Sequence, residues 1–138
     1  MRLVLICVGK VKPPFTDDVA HYERLLRPHA RLETIEVPDD AAVAKRIPAA
    51  SFLCVLDRTG DQVTSEELAD FIARRRMEGA DLCLVVGGPF GVDAEVTAKA
   101  QRRLSLGPIT LPHQLARVVL LEQLFRAHKI LAGEPYHY

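Results

Sequence analysis

A glycine-rich segment at residues 86–91, Val-Gly-Gly-Pro-Phe-Gly, is the first candidate for ligand chemistry. Glycine lets backbone N–H groups approach a ligand closely and permits a positive φ. The segment follows an apolar run and precedes Asp93, and α/β domains place ligand loops between a strand and a helix. It has neither the spacing of a dinucleotide fingerprint nor the lysine of a Walker loop, so no diphosphate cradle is implied. A ligand loop and a plain tight turn both remain open.

A second candidate is residues 105–113, where Gly107, Pro108 and Pro112 interrupt what would otherwise be the last strand. Proline cannot donate to a sheet ladder, so this backbone is expected to leave the sheet and to offer free N–H and C=O groups. Such a loop suits the polar edge of an adenine ring. A kinked edge strand is the alternative.

The third candidate is the aromatic and imidazole pair Tyr136 and His137, next to Pro135. An aromatic ring can stack on a nucleobase, and an imidazole titrates near neutral pH. A frayed terminal segment without a role is the alternative.

The helix predicted over residues 114–131 is apolar nearly all round. We expect its own sheet to cover one side and a partner to cover the other, which predicts a homodimer. Glu122 precedes Arg126 by four residues, the favourable order for an intrahelical ion pair. This pair is predicted to be partly buried and mainly structural, with a catalytic role for Arg126 as the alternative.

Other classes of site and location have little support in the sequence. Cys7, Cys54 and Cys83 each lie in an apolar run without C-x-x-C spacing, so we expect buried, reduced thiols, and the five histidines form no metal-binding motif. The 18 basic and 18 acidic residues give zero net charge, which excludes a nucleic-acid binder held by overall charge. No apolar run reaches the roughly 18 residues of a membrane helix, so we predict a cytoplasmic protein without a metal.

The elements that must position these residues alternate between strands and helices. Apolar runs predict strands, and the strand at 31–37 is expected near an edge of the sheet. Apolar residues that recur with a period of 3.6 predict helices. One of these helices is expected to be capped by Thr64 and to end at Gly79. Strands are predicted at residues 2–8, 31–37, 52–56 and 82–86, and helices at 17–26, 65–78, 93–102 and 114–131. The order predicts a single α/β domain over residues 1–138, with a mostly parallel sheet and helices on both faces.

Four motifs in order resemble the RlmH-type ribosomal RNA methyltransferases of the SPOUT class. They are Val-Gly-Lys-Val-Lys at residues 8–12, the glycine-rich segment 86–91, Leu-Pro-His-Gln at 111–114 with the helix after it, and Pro-Tyr-His at 135–137. The resemblance runs from Met1 to Tyr138. It implies a C-terminal trefoil knot, a homodimer, and transfer of a methyl group from S-adenosylmethionine to N3 of a pseudouridine in the large-subunit rRNA of the assembled ribosome.

The resemblance also assigns residues. The cofactor pocket would comprise one strand end, one glycine of the 86–91 segment and the proline-broken loop, namely Leu56, Gly87, Leu106, Gly107, Pro108, Ile109, Thr110 and Leu111. Removal of the N3 proton requires a general base or a cation that stabilises the developing anion. The candidates are His113 and His137, with Tyr136 as a stacking or hydrogen-bonding partner and Arg117 and Arg126 as weaker candidates. For His113, a helix-capping or packing role is the alternative.

Three departures from the family pattern are visible. The segment between residues 37 and 52 is shorter than in typical members, Phe90 stands where a polar residue is common, and Tyr138 stands where a basic residue usually follows Tyr-His. A non-catalytic α/β module that binds a nucleotide or S-adenosylmethionine is the alternative function. A flavin or nicotinamide oxidoreductase is disfavoured because the dinucleotide fingerprint is missing.

Overall fold

The structure, a computed structural model, describes residues 1–136. The chain alternates between strands and helices as predicted. The strands are β1 (Arg2–Val8), β2 (Arg31–Val37), β3 (Phe52–Gln62), β4 (Leu82–Val86) and β5 (Arg102–Ser105). The helices are α1 (Thr16–Leu26), α2 (Ser65–Glu78), α3 (Ala94–Lys99) and α4 (His113–Ala132), and single 3-10 turns lie at Asp40–Ala42 and Ala44–Arg46.

The five strands form one sheet in the order β2-β1-β4-β3-β5, and every neighbouring pair is parallel. β1 and β4 are central, and their side chains are buried on both faces, which explains their nearly continuous apolar sequences. β2 has exposed and partly buried positions, with only Val37 fully buried, because it lies at an edge. The predicted parallel sheet and the edge position of residues 31–37 are confirmed.

Helices cover both faces of the sheet, as predicted. One core contains alternate residues of β1 and β4 together with α1, α2 and α4, including Leu5, Leu84 and Leu121. The other contains the intervening residues, such as Ile6 and Val85, packed against Val96 of α3 and the 3-10 turns.

Residues at the helix ends determine where α2 begins and where α2 and α4 end. The Thr64 side chain accepts a hydrogen bond from the Glu67 N–H at 3.0 Å, and the Glu67 carboxylate accepts from the Thr64 N–H at 3.1 Å. This is the predicted capping box of α2. α2 and α4 end at Gly79 and Gly133, whose φ angles of 73° and 68° lie in the left-handed region that favours glycine.

Two predicted boundaries were wrong. α3 ends at Lys99, and residues 102–105 form β5, an edge strand. β3 continues to Gln62 because residues after its apolar part pair with β5 across a register break between Leu56 and Asp61. At that break Gly60 lies against β5, since a Cβ atom there would be 2.7 Å from the carbonyl carbon of Arg103.

α4 is covered more fully within its own chain than the sequence argument assumed. It packs against α1, α2 and the sheet, which bury Leu120, Leu121, Leu124 and Phe125. Val118 remains partly exposed on this helix. The homodimer therefore stays a prediction. The trefoil knot stays a prediction as well.

The three cysteines are buried and free, as predicted. Desolvation raises the pKa of each thiol to about 12, so none is a thiolate near neutral pH. Within residues 1–136, no helix is long and apolar enough to cross a membrane. The same residues contain no group of three or more side chains suited to holding a metal ion.

Candidate active site

A cavity lies beyond the carboxyl ends of β3, β4 and β5, the edge at which parallel α/β sheets bind ligands. Its walls come from the end of the apolar part of β3, the glycine-rich segment after β4, the loop after β5 and the first turn of α4. The lining residues are Leu56, Asp57, Arg58, Val86, Gly87, Gly88, Gly91, Leu104, Leu106, Gly107, Ile109, Thr110, Leu111, His113 and Ala116.

Seven of the eight residues assigned to the cofactor by resemblance line this cavity: Leu56, Gly87, Leu106, Gly107, Ile109, Thr110 and Leu111. Pro108 belongs to the same loop but is not among the lining residues. One fold feature therefore brings together residues up to 55 positions apart in the sequence.

The glycine-rich segment forms a tight turn. The Gly91 N–H donates to the Gly88 carbonyl at 3.0 Å, and these two residues form an isolated antiparallel bridge. The Gly88 N–H donates to Oδ1 of Asp40 at 3.3 Å, which ties the turn to the 3-10 turn that follows β2. The tight turn that the sequence allowed is therefore present and lines the cavity, and its role as a ligand loop stays a prediction.

The loop after β5 leaves the sheet, as its prolines predicted. The Gly107 N–H donates to the Ser105 hydroxyl at 3.1 Å, and φ of Gly107 is 119°. Arg58 donates from Nη1 to Oγ1 of Thr110 at 3.3 Å. Among the hydrogen bonds between described residues, none uses the backbone N–H of Ile109 or Thr110, so both groups are available to a ligand.

His113 is the first residue of α4, and it is the one imidazole among residues 1–136 that lines the cavity. Its neighbour Gln114 donates from Nε2 to the Lys10 carbonyl at 2.9 Å and accepts from the Lys12 N–H at 3.1 Å. These bonds attach the loop after β1 to the start of α4. The first family motif is therefore held against the third.

Arg117 does not line the cavity. It is 4% exposed and donates from Nη1 to Oε2 of Glu36 on β2 at 2.6 Å. Partial burial alone would raise the pKa of Glu36, but the hydrogen bonds from Arg117 and from the Val11 N–H lower it below its ordinary value. This ion pair, whose guanidinium is buried and whose carboxylate solvent still reaches, joins α4 to the edge strand, so the structure gives Arg117 a positioning role within its own chain.

Arg126 and Tyr136 form a separate cluster with Glu122. Arg126 Nη2 lies 2.8 Å from Glu122 Oε2, and the Tyr136 hydroxyl donates to the same oxygen at 2.8 Å. The guanidinium of Arg126 stands 4.9 Å from the centre of the Tyr136 ring. Desolvation and the bond to Glu122 raise the pKa of Tyr136 to about 12.

The predicted, partly buried pair of Glu122 and Arg126 is confirmed. Neither Arg126 nor Tyr136 lines the cavity of its own chain. His137, the other imidazole candidate, lies outside the described residues.

Sequence reasoning missed Asp57 and Arg58. Asp57 accepts from the Thr59 N–H and from Arg103, which hold the pKa of its carboxyl below the ordinary value. An ionised, low-pKa carboxylate is a poor general base. The signal that would have found both residues is their place directly after the apolar run 52–56, at the end of a parallel strand.

Comparison with known proteins decides the family. Residues 1–137 match the family described as predicted SPOUT methyltransferase. The chain belongs to this family. It is 38% identical to ribosomal RNA large subunit methyltransferase H of Thermotoga sp. (strain RQ2), over 151 residues and 100% of both chains. It is 40% identical to the protein of the same name from Symbiobacterium thermophilum, over 160 residues and 99% of each chain.

A solved structure supports the fold of this SPOUT family member. A methylase family protein from Haemophilus influenzae Rd KW20 superposes with a TM-score of 0.59 at 14% identity, covering 96% of this chain and 67% of that one. The Thermotoga alignment spans 151 positions, more than the 138 residues of this chain. Where the missing positions fall is still a prediction, and residues 40–46 here form only the two 3-10 turns.

Proposed function

We propose that this protein transfers a methyl group from S-adenosylmethionine to N3 of a pseudouridine in the large-subunit rRNA of the assembled ribosome. The observation that carries the proposal is the cavity at the carboxyl ends of β3, β4 and β5, which combines seven assigned cofactor residues with His113. Full-length relatives named ribosomal RNA large subunit methyltransferase H support the substrate class.

The residues that line the cavity suit the chemistry of the cofactor. Apolar side chains of Leu56, Leu106 and Ile109 offer surfaces to an adenine ring. The free backbone N–H groups of Ile109 and Thr110 can bind its polar edge. When bound, S-adenosylmethionine supplies an activated methyl group on a sulfonium.

The chain's own contribution is positioning and proton removal. In-line transfer of a methyl group depends mainly on holding two reactants in register, and the loops around the cavity are themselves held by hydrogen bonds of 3.3 Å at Gly88 and 3.1 Å at Gly107. The N3–H of a uracil-like base must lose its proton before or during transfer. We assign that proton to His113, because it is the histidine of residues 1–136 that lines the cavity, in the first turn of α4.

We further propose that the protein acts as a homodimer through the partly exposed face of α4. Val118 and Val119 lie on this face, near Glu122 and Arg126. A partner seated there would bury both valines. The cluster of Glu122, Arg126 and Tyr136 would then lie at the subunit interface, where it could serve either cavity.

Product formation distinguishes this function from the alternative, a module that binds the cofactor without catalysis. The protein is incubated with S-adenosylmethionine in the presence and absence of bacterial ribosomes that lack the modification, and S-adenosylhomocysteine is measured. We expect S-adenosylhomocysteine only when ribosomes are present. Saturable cofactor binding with no product in either sample would support the non-catalytic module.

A further inference from the structure

The exposed apolar side chains of the described chain are concentrated around the cavity. Four large ones are exposed, namely Met77, Phe90, Leu106 and Ile109. The last three lie on the two loops that border the cavity, and only Met77 lies elsewhere, on α2. Phe90 is 96% exposed and is the one aromatic ring among the four. Isolated apolar residues on a surface are ordinary, but a group at the mouth of a cavity marks a binding surface.

The turn that carries Phe90 is held firmly. Gly88 and Gly91, on either side of it, are joined by a backbone hydrogen bond of 3.0 Å, and Gly88 also donates to Asp40. Gly87 is packed against the backbone of Gly91. A fixed turn lowers the entropy that binding must remove, because the backbone that carries the ring is already in place.

Both faces of the Phe90 ring are open. Within residues 1–136, no aromatic ring or cationic group packs on it, whereas Phe52, Phe71 and Phe125 each contact another ring. No aromatic side chain within the described residues therefore packs on Phe90 and shields it from solvent. A planar partner from outside the chain can stack on it.

We propose that Phe90 stacks on an unpaired nucleobase of the RNA substrate at the mouth of the cavity; this inference rests on the proposed function. Proteins commonly recognise unpaired RNA bases by stacking them on aromatic side chains. Exposed Arg58, which lines the same cavity, adds a cation for the RNA backbone. Phe90 thus positions substrate and takes no part in proton transfer.

Steady-state kinetics on ribosomes test this role. For Phe90→Ala we expect the KM for ribosomes to rise about tenfold, with kcat and the affinity for S-adenosylmethionine within twofold of wild type. Phe90→Tyr keeps the ring and should retain the wild-type KM. Met77→Ala removes another highly exposed apolar side chain, one on α2 that does not line the cavity, and should change neither constant. Wild-type KM in Phe90→Ala would overturn the inference.

Two further measurements test whether the Phe90 ring contacts the cofactor or a second copy of the chain instead of RNA. The chain has no tryptophan, so Phe90→Trp creates a single fluorescent reporter at this position. Its emission should not change when S-adenosylmethionine is added alone; a change would place the ring on the cofactor instead. Sedimentation of Phe90→Ala should match wild type, and an altered oligomeric state would place the ring on a second copy of the chain.

The failure of the inference can be told apart from the failure of the proposed function. If wild-type protein methylates no ribosomal RNA, the proposed function is wrong and the inference falls with it. If wild type is active and Phe90→Ala is equally active at low ribosome concentration, only the inference is wrong.

Discussion

Gly87 lies so close to Gly91 that a Cβ atom at Gly87 would be 2.4 Å from the Gly91 carbonyl carbon and 2.6 Å from its oxygen. Real Cβ atoms do not approach backbone this closely, so even alanine at Gly87 requires the turn after β4 to open. Both glycines line the cavity. The shape of the cavity therefore depends on the absence of one methyl group.

We expect Gly87→Ala to weaken S-adenosylmethionine binding at least tenfold, because the displaced turn no longer lines the cavity as described. Calorimetric titration measures the affinity. Gly79→Ala is the matched control, since Gly79 has a φ of 73°, open space around it and a position at the end of α2. It should lose about 1–2 kcal/mol of stability through backbone strain and keep its cofactor affinity. Equal affinities in all three proteins would contradict the assigned role of the turn.

His113→Gln should lower kcat for methyl transfer by about 10²–10⁴-fold, because a positioned general base contributes a factor of that size. Cofactor affinity should remain within twofold. His21→Gln changes an exposed histidine on α1 and should leave kcat unchanged. If His113→Gln keeps the wild-type kcat, His113 is a packing residue and the proton is removed by another group.

Glu36→Gln should destabilise the fold by about 1–3 kcal/mol, because it leaves the buried Arg117 guanidinium without its counter-charge. Arg117→Met removes the buried charge and leaves Glu36, which solvent reaches, so it should cost less. Chemical denaturation measures both. A stability loss in Glu36→Gln with cofactor affinity and kcat retained in the folded protein supports a positioning role for Arg117, and a kcat loss in Arg117→Met without destabilisation contradicts it.

The same pair predicts a dependence on pH. Since the pKa of Glu36 is lowered in the folded protein, its contribution to stability is complete above the ordinary value of 4.5 and is lost as the pH falls through the folded pKa. Glu36→Gln should therefore lose less stability than wild type on acidification below about pH 4.5. Parallel stability curves for the two proteins would contradict the pairing.

Much of the fold could be predicted from the sequence because it depends on local patterns of residues. The Thr64 capping box, the stop at Gly79 and the continuous apolar sequence of β4 each depend on neighbouring residues. The continuation of β3 past Leu56 was not readable, because its polar residues form a strand only through pairing with β5.

The candidate site divides in the same way. The glycine-rich segment and the proline-broken loop were visible as unusual stretches, and the structure brings both to one cavity. Arg117 and Glu36 lie 81 positions apart in the sequence, so no local pattern around either residue predicts their contact. The sequence therefore left a weak catalytic role open for Arg117, whereas in the structure this residue pairs with Glu36 on the edge strand.

His128 predicts a second effect of pH on stability. This residue is 2% exposed; its Nδ1 lies 2.7 Å from the Leu124 carbonyl oxygen, and its Nε2 is buried with no hydrogen-bond partner within the described chain. Burial lowers the pKa of His128, and nearby Arg76 and His29 act in the same direction. The unfolded chain therefore binds a proton more readily than the folded one.

Stability should be complete above about pH 6.5 and should fall as the pH drops toward the folded pKa of His128, by at most about 1.4 kcal/mol per pH unit. His128→Asn keeps a donor toward Leu124 but does not titrate, so its denaturation curves between pH 7 and pH 5 should shift less than those of wild type. His21→Asn, an exposed control, should follow wild type. A wild-type slope in His128→Asn would rule out this group as the source.

The most direct test of the central claim is transfer of a labelled methyl group from S-adenosylmethionine to assembled ribosomes, compared with ribosomes that lack pseudouridine. We predict label in the large-subunit rRNA of the first sample only, with nucleoside analysis placing it on pseudouridine. Equal labelling of both samples would contradict the proposed target. Absence of label from both, with cofactor binding intact, would contradict the proposed reaction itself.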